Sequence, residues 1–540
     1  MTLRAESEPE WAVKATSDGL ALAADDEHEF CVPTFSEIEE HLDRALQHCF
    51  ETQGPQGQWE VLPDARLFDT SFVTYALSCA DGRSVDAAVR RASKWLATAP
   101  VQSHEPLARI LDETPRLILG KTPSIDLRDP SLYTRVFQRK TLLLYALALH
   151  AGVEVLSPMS VAEVRARVRS IFEARERIVL KQWSRVDLVS VHLLLEHLAP
   201  DPSTSISMSE AVRYLSSLQA EDGSFCHNPV STAIAFLALS LVAPRSTTRE
   251  RCLQVLLDSQ QPEGTWRFCT SSVWDTSLTV RSFRGHPRFR ERALGPAVEF
   301  LVSSQNEDGG WGFHADVESD NDTTSCVLLA LRDQLEASHP TIERSIQYLR
   351  RWQRSDGLWN TWQSDDDRPV DDCVAHIVRA LAPFEDLCRI DLERARAWLA
   401  SRYRKGDGWS SGWYRMVPYS ILEVGRALHL EQGVIAGAMR QLLQLQRSDG
   451  GWPAVSGEES RASATGIALA TLTNHLGTQD PAIQRGLRYL INTQLDDGTW
   501  RGFPEMYGPR PLIYHLQTNT HAFTSYGMIA AWLGLRSADV

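Results

Sequence analysis

Gln305-Asn306-Glu307-Asp308-Gly309-Gly310-Trp311 is one copy of a turn that recurs along the chain. It returns as Gln353-Arg354-Ser355-Asp356-Gly357-Leu358-Trp359, as Gln446 to Trp452, as Gln494-Leu495-Asp496-Asp497-Gly498-Thr499-Trp500, and as Gln261-Pro262-Glu263-Gly264-Thr265-Trp266. A sixth copy, Asp407-Gly408-Trp409, has lost its Gln. Successive tryptophans stand 45, 48, 50, 43 and 48 residues apart, which is room for two helices of ordinary length and their turns. Each unit therefore reads as a helix pair, and six of them fill the C-terminal half.

Apolar residues between the turns keep helical spacing, as in Ile377, Val378, Ala380 and Leu381, or Ile421, Leu422, Val424 and Leu428, and no stretch alternates for long with strand period. The expected fold class is all-α. Ser-Asp-Gly and Glu-Asp-Gly supply the tight or left-handed positions that end one helix and start the next. Weaker turns, Gln56-Gly57-Gln58-Trp59 and Gln219-Ala220-Glu221-Asp222-Gly223-Ser224-Phe225, punctuate the N-terminal half around helical stretches at 140–150 and 187–197. A second helical domain over 59–268 is expected. Helix pairs stack either as an open solenoid or as a closed toroid; six pairs suit closure, and the polar capping repeats of an open superhelix are not evident.

The 540 residues and 43% hydrophobic content suit two to four domains with substantial cores. The polar, charged first ~30 residues are expected to be disordered. A net charge of −14 argues against nucleic acid or an anionic membrane as the main partner, while a local basic pocket for a small anion stays compatible with it. Nine cysteines at 31, 49, 79, 226, 252, 269, 326, 373 and 388 include no Cys-x-x-Cys pair, the usage of a reducing compartment. With no basic-then-apolar leader and no apolar run of ~18 residues, the sequence reads as cytosolic. It gives no oligomeric state.

The chain resembles the class II terpene cyclase and squalene–hopene cyclase superfamily, whose signature is this Gln-to-Trp turn on two α/α barrels. Three further segments carry the resemblance in the family's order: Val273-Trp274-Asp275-Thr276, the run from Gly310-Trp311-Gly312-Phe313 to Asp320-Asn321-Asp322-Thr323-Thr324, and Asp372-Cys373-Val374-Ala375-His376. The resemblance implies a βγ arrangement: a catalytic barrel from 31–58 and 269–540, with the 59–268 barrel inserted and the active site facing it. In that family an Asp-x-Asp-Asp motif protonates an alkene. Here the last Asp is Thr323, and Asp-x-Asp-Thr-Thr variants are associated with cyclases making drimane-type sesquiterpenes.

Protonating an isolated alkene demands a carboxyl kept neutral until it discharges, and burial beside a second carboxyl favours that state. Asp322 is the expected acid, Asp320 its partner, and Thr323 is expected to hydrogen-bond where an ionised Asp would otherwise stand. His376 matches the place where hopene cyclases set a histidine against the acid, and Asp372, one turn earlier, is expected to orient it. The plainer readings are a helix N-cap for Asp320 and Asp322 and a buried or capping role for His376. Aromatic faces stabilise carbocations by roughly 0.5–2 kcal/mol each. By resemblance Trp274, Trp311, Phe313, Trp413, Tyr419, Phe503 and Tyr507 line the pocket, although tryptophans of the repeat turns read equally as core.

These expectations converge on farnesyl diphosphate converted to drimenyl diphosphate, with the diphosphate retained. Arg135, Arg139 and Lys140 are candidates for holding it, or a solvated basic face. Mg2+ is expected as a diphosphate clamp through carboxylates such as Asp64 or Asp69, between which the sequence does not choose. Geranylgeranyl diphosphate giving a copalyl-type product, or squalene, are the neighbouring alternatives. A class I cyclase is disfavoured because Leu329 stands where its metal motif requires Glu, and because Asp365-Asp366-Asp367 and Asp371-Asp372 miss the other spacing. A protein prenyltransferase β-type subunit would bind zinc through Asp371-Asp372-Cys373 with His376 or His429. A non-enzymatic scaffold would have no use for Asp320, Asp322 and His376 together.

Overall fold

The computed structural model describes residues 31–538 apart from 102–105, 130–137, 154–161, 164, 167, 170–179, 202–205, 363–367, 389, 405–407, 429–431 and 509–510. The expectation of disorder for the first thirty residues therefore lies outside the described residues, as do Asp365-Asp366-Asp367, Asp407 and His429. What is described is almost wholly helical, with two short two-stranded ribbons, Trp452–Pro453 on Ser460–Arg461 and Met506–Tyr507 on Ile513–Tyr514.

Helices of two kinds follow from two kinds of sequence. Ala462–Leu476 is apolar or small almost all round and buried from Ala462 to Thr473, whereas Pro340–Arg351 buries Ile342, Ile346 and Leu349 and turns Arg350 and Arg351 outward. The first kind forms an inner ring: α1 Ser272–Phe283, α2 Asn321–Leu331, α3 Asp371–Leu381, α4 Val417–Ala427, α5 Ala462–Leu476 and α6 Gln517–Ala538. Each packs on the next and α6 packs on α1, so the ring closes. The second kind forms the outer layer, Leu294–Ser303, Pro340–Arg351, Glu393–Ser401, Gln432–Gln444, Pro481–Thr493 and, from the far end of the chain, Phe35–Glu51 against α6. At the α5–α6 seam a Cβ on Gly466 would stand 2.2 Å from the Phe523 carbonyl oxygen, and one on Gly527 would stand 2.1 Å from that of Gly466. Only glycine permits this approach.

The recurrent turn is the fastener between repeats. Each indole donates to the carbonyl ten residues earlier: Trp59 to Cys49, Trp266 to Leu256, Trp311 to Leu301, Trp359 to Leu349, Trp409 to Leu399, Trp452 to Leu442 and Trp500 to Leu490, all at 2.7–2.9 Å. The Gln six residues before the Trp gives its amide to the carbonyl of the turn glycine and to a carbonyl of the adjoining outer helix or the residue that opens it. Gln305 reaches Gly309 and Thr341, Gln446 reaches Gly450 and Ala482, and Gln494 reaches Gly498 and His41. The register corrects two expectations. Gln260, rather than Gln261, makes these bonds before Trp266, and Gln53, rather than Gln56 or Gln58, makes them before Trp59. Turn glycines such as Gly309 (φ 90°) adopt a left-handed conformation, and a Cβ there would lie 2.6 Å from the Arg344 carbonyl oxygen.

Buried apolar residues form two clusters. One runs from Ile38 to Trp59 and from Val273 to Trp532; the other runs from Phe68 to Trp266 and takes in Leu512, Tyr514 and Leu516. Around the second, Leu67–Ser78, Pro106–Ile118, Gln138–Ala151, Gln182–Leu198 and Pro229–Val242 pack in sequence, and the last closes on the first. The fold is two α/α barrels, with the ribbon containing Tyr514 reaching from one to the other. Among the described residues no helix is long and apolar enough to cross a membrane.

Candidate active site

The N-terminal ends of the inner helices bring the acidic residues together. Asp320 is the N-cap of α2: its Oδ1 accepts from the Thr323 amide (2.6 Å) and its Oδ2 from the Thr323 hydroxyl (2.8 Å). The preceding repeat turn sets this start, because the Asp320 amide donates to Trp311 O and the Trp311 amide donates to the Thr324 hydroxyl. Burial raises the Asp320 carboxyl to about 7 against the opposing charge of Lys181. Lys181 is itself buried beside Asp320, donates to Ser319 O, and is lowered by that burial while Asp320 draws it back up.

Asp322, two residues into the same turn, is 2% exposed. Its Oδ1 lies 2.7 Å from His376 Nδ1; its Oδ2 has no hydrogen-bond partner among the described residues. On its other side the imidazole meets the Tyr419 hydroxyl at 3.0 Å and Glu423 Oε2 at 3.5 Å. Burial pushes His376 down, but Cys326 and Asp322 together outweigh it and lift the imidazolium to about 9. His376 therefore holds its charge near neutrality and donates to Oδ1. Asp372 does not orient His376, as its spacing had suggested. Its oxygens accept from the Ser411 hydroxyl (2.6 Å) and the amides of Gly412 (2.8 Å) and Trp413 (3.3 Å), so it anchors the loop that presents Trp413.

Asp320, Asp322 and Thr323 open on a partly open cavity at the junction of the barrels. Of the expected aromatics, Trp274, Phe313, Trp413 and Tyr507 line it. Trp311 does not, since its ring is fully buried beneath the repeat turn. Tyr419 stands behind the acid on His376, and Phe503 lies between the guanidiniums of Arg461 and Arg501, at 4.9 and 5.1 Å. Sequence reasoning missed Trp183, Trp362, Tyr414 and Tyr514. Phe313, Trp183, Trp362 and Trp413 form a continuous wall with ring centres 6.2, 5.5 and 5.3 Å apart, and Trp274 donates to the Tyr414 hydroxyl at 2.9 Å. Only Trp362, three residues past the Trp of a repeat turn, carried a usable local signal. Trp183 comes from the second barrel.

The expected diphosphate ligands are not placed at this cavity. Arg135 lies outside the described residues, as do the side chains of Arg139 and Lys140, and no Lys or Arg is among the described residues that line the cavity. Asp64 meets His515 Nδ1 at 2.9 Å and Asp69 accepts from the Tyr514 hydroxyl at 2.9 Å. Among the described residues one group of three metal-capable side chains converges, Asp322, Cys326 and His376. A carboxylate, a thiol and an imidazole are not the oxygen set that Mg2+ takes, so these residues do not fit that ion. Two ligands of a tetrahedral Zn2+ on ~2.0 Å bonds stand about 3.3 Å apart, wider than the 2.7 Å Asp322–His376 contact, which is a hydrogen bond. The prenyltransferase-type zinc set does not assemble either, for Asp371 is taken by Arg402 and Ser410 and Asp372 by the 411–413 loop.

The profile of the squalene-hopene cyclase C-terminal domain family matches residues 230–367 and 362–527. A drimenyl diphosphate synthase of Streptomyces showdoensis is 23% identical over 70% of this chain and 75% of its own length, and one from Streptantibioticus cattleyicolor is 28% identical over 53% and 58%. A squalene–hopene cyclase of Bradyrhizobium diazoefficiens is 25% identical over 49% and 50%. The solved ent-copalyl diphosphate synthase from Streptomyces platensis superposes with a TM-score of 0.60, at 16% identity, over 92% of this chain and 99% of that one, a likeness of fold. The family match spans more than half of the chain, and the chain belongs to the squalene–hopene cyclase family of class II terpene cyclases.

Proposed function

We propose that the protein cyclises farnesyl diphosphate to drimenyl diphosphate by protonation. The observation that carries this reading is the Asp322 carboxyl, bonded to His376 through one oxygen and offering the other beside an aromatic cavity. The proton leaves Oδ2 and the terminal alkene's electron pair forms the new C–H bond. Two ring closures carry the cation inward, and loss of a proton from a ring carbon restores an alkene; that proton passes to solvent, from which Asp322 regains one before the next turnover. Product and substrate are isomers, and the diphosphate is untouched. Asp320 and His376 tune the acid, Thr323 holds Asp320, and the wall of Phe313, Trp183, Trp362 and Trp413 folds the chain, excludes water and faces the cation. The chain length in this reading rests on the two drimenyl diphosphate synthase relatives and the Asp-x-Asp-Thr-Thr motif. Mg2+ would serve as a counter-ion to the diphosphate, and no part of the proton step is assigned to it.

The test is to incubate the purified protein and Asp322→Asn with Mg2+ and farnesyl or geranylgeranyl diphosphate, treat with phosphatase, and identify the alcohols by gas chromatography and mass spectrometry. A bicyclic alcohol from farnesyl diphosphate that disappears in the variant is the expected result. A bicyclic alcohol from geranylgeranyl diphosphate alone would move the reading to a copalyl-type product, and acyclic alcohols alone would overturn it.

A further inference from the structure

The opposite end of the catalytic barrel's bore holds a second, partly open cavity whose polar lining is mostly arginine. Arg281, Arg379 and Arg426 each stand in the last turn of an inner helix, α1, α3 and α4. Glu423 bonds two of them, Oε1 to Arg281 Nη2 at 2.7 Å and Oε2 to Arg379 Nη1, while Arg426 donates to the Tyr526 hydroxyl. At the rim Arg284 and Arg332 share Asp333, at 2.6 and 3.7 Å. Four guanidiniums, those of Arg281, Arg284, Arg379 and Arg426, thus line the cavity with one carboxylate, that of Glu423. The carbonyls at the helix C-termini offset part of that charge, since each helix presents about half a negative charge there. The remaining excess shows in the neighbours: burial pushes the Tyr526 phenol up, yet Arg426 and Arg379 outweigh it and bring it down to about 8. Burial, with Arg281 and Arg426 adding to it, lowers Arg379.

We propose that this end of the bore binds a small oxyanion of the phosphate class, clamped by Arg281, Arg379 and Arg426. Guanidinium forks match the paired oxygens of such an anion. The site is separate from the aromatic cavity and lies behind the acid, to which Glu423 connects it through the 3.5 Å approach to His376 Nε2. An anion that competes for Arg281 and Arg379 leaves Glu423 freer to face that imidazolium.

The test titrates the full chain in chloride buffer with inorganic phosphate and, separately, inorganic diphosphate, by calorimetry. Saturable binding of either anion is expected, weakened about tenfold or more in Arg379→Gln and in Arg426→Gln; whichever anion binds more tightly identifies the ligand. The unmutated protein gives a second readout. At a pH near 8 the anion should neutralise the arginines, re-protonate Tyr526 and lower the phenolate absorbance, and Tyr526→Phe should lack that change. No saturable heat with no change in phenolate absorbance, or binding undiminished in both arginine variants, would overturn the proposal. If Arg379→Gln does not fold, Arg426→Gln and the absorbance measurement decide.

Discussion

The two ends of the catalytic bore are built from the same six helices and carry opposite charge. At the N-terminal ends stand Asp320, Asp322 and Asp372; at the C-terminal ends stand Arg281, Arg379 and Arg426. Helix direction explains both. N-terminal amides favour a carboxylate in the first turn, and C-terminal carbonyls favour cations. The ends differ in what faces them. Aromatic rings face Asp320 and Asp322, whereas most of the polar groups around the other cavity are arginines.

The sharpest way to break this comparison is Asp322→Asn, which keeps the shape and removes the proton. Cyclisation should fall by roughly 10²–10⁴-fold with the thermal melt nearly unchanged, as followed by product formation and calorimetry. His376→Gln should lower the rate less and change its pH profile. The folded pKa of His376 is raised to about 9 from its ordinary value of 6.5, so its charge, and the stability it contributes, is fully present below about 6.5 and is lost as pH rises through about 9. An alkaline limb near pH 9 is expected in the unmutated protein and should be missing from the variant. Gly466→Ala tests the shared scaffold: a methyl 2.2 Å from the Phe523 carbonyl oxygen should part α5 from α6 and cost about 1–3 kcal/mol, measured by denaturant melting. Trp452→Phe should cost about 1 kcal/mol for the lost Leu442 bond and leave the product unchanged. Thr323→Val keeps the Asp320 cap through the amide and loses only the hydroxyl bond, so a rate loss of about fivefold is expected, corresponding to about 1 kcal/mol.

What the sequence disclosed followed from how local each feature is. The repeat was legible because Gly, Trp and their spacing are imposed within one turn. The Gln register was not, because the carbonyls that choose Gln260 over Gln261 belong partly to another helix, at Ala88. Asp320, Asp322 and Thr323 share one helix start and were readable together, whereas the partner of Asp372 turned out to be a loop forty residues on. The aromatic wall was half visible. Residue type identifies a ring but not the side on which it emerges, so Trp311 and Phe503 were expected in a cavity they do not line. Trp183 was invisible because it reaches the cavity from the other barrel.

The fastener at the last repeat has a consequence for how the chain is made. Gln494 ties to the His41 carbonyl in Phe35–Glu51, across 453 residues of sequence. At roughly 5–20 residues per second, that helix leaves the ribosome about 20–90 s before the turn that secures it. During that interval its apolar face, Ile38, Leu42, Ala45 and Leu46, has no ring to pack against, and the whole of the other barrel is synthesised in the meantime. The first helix to be made in the catalytic barrel is thus secured by the last repeat turn.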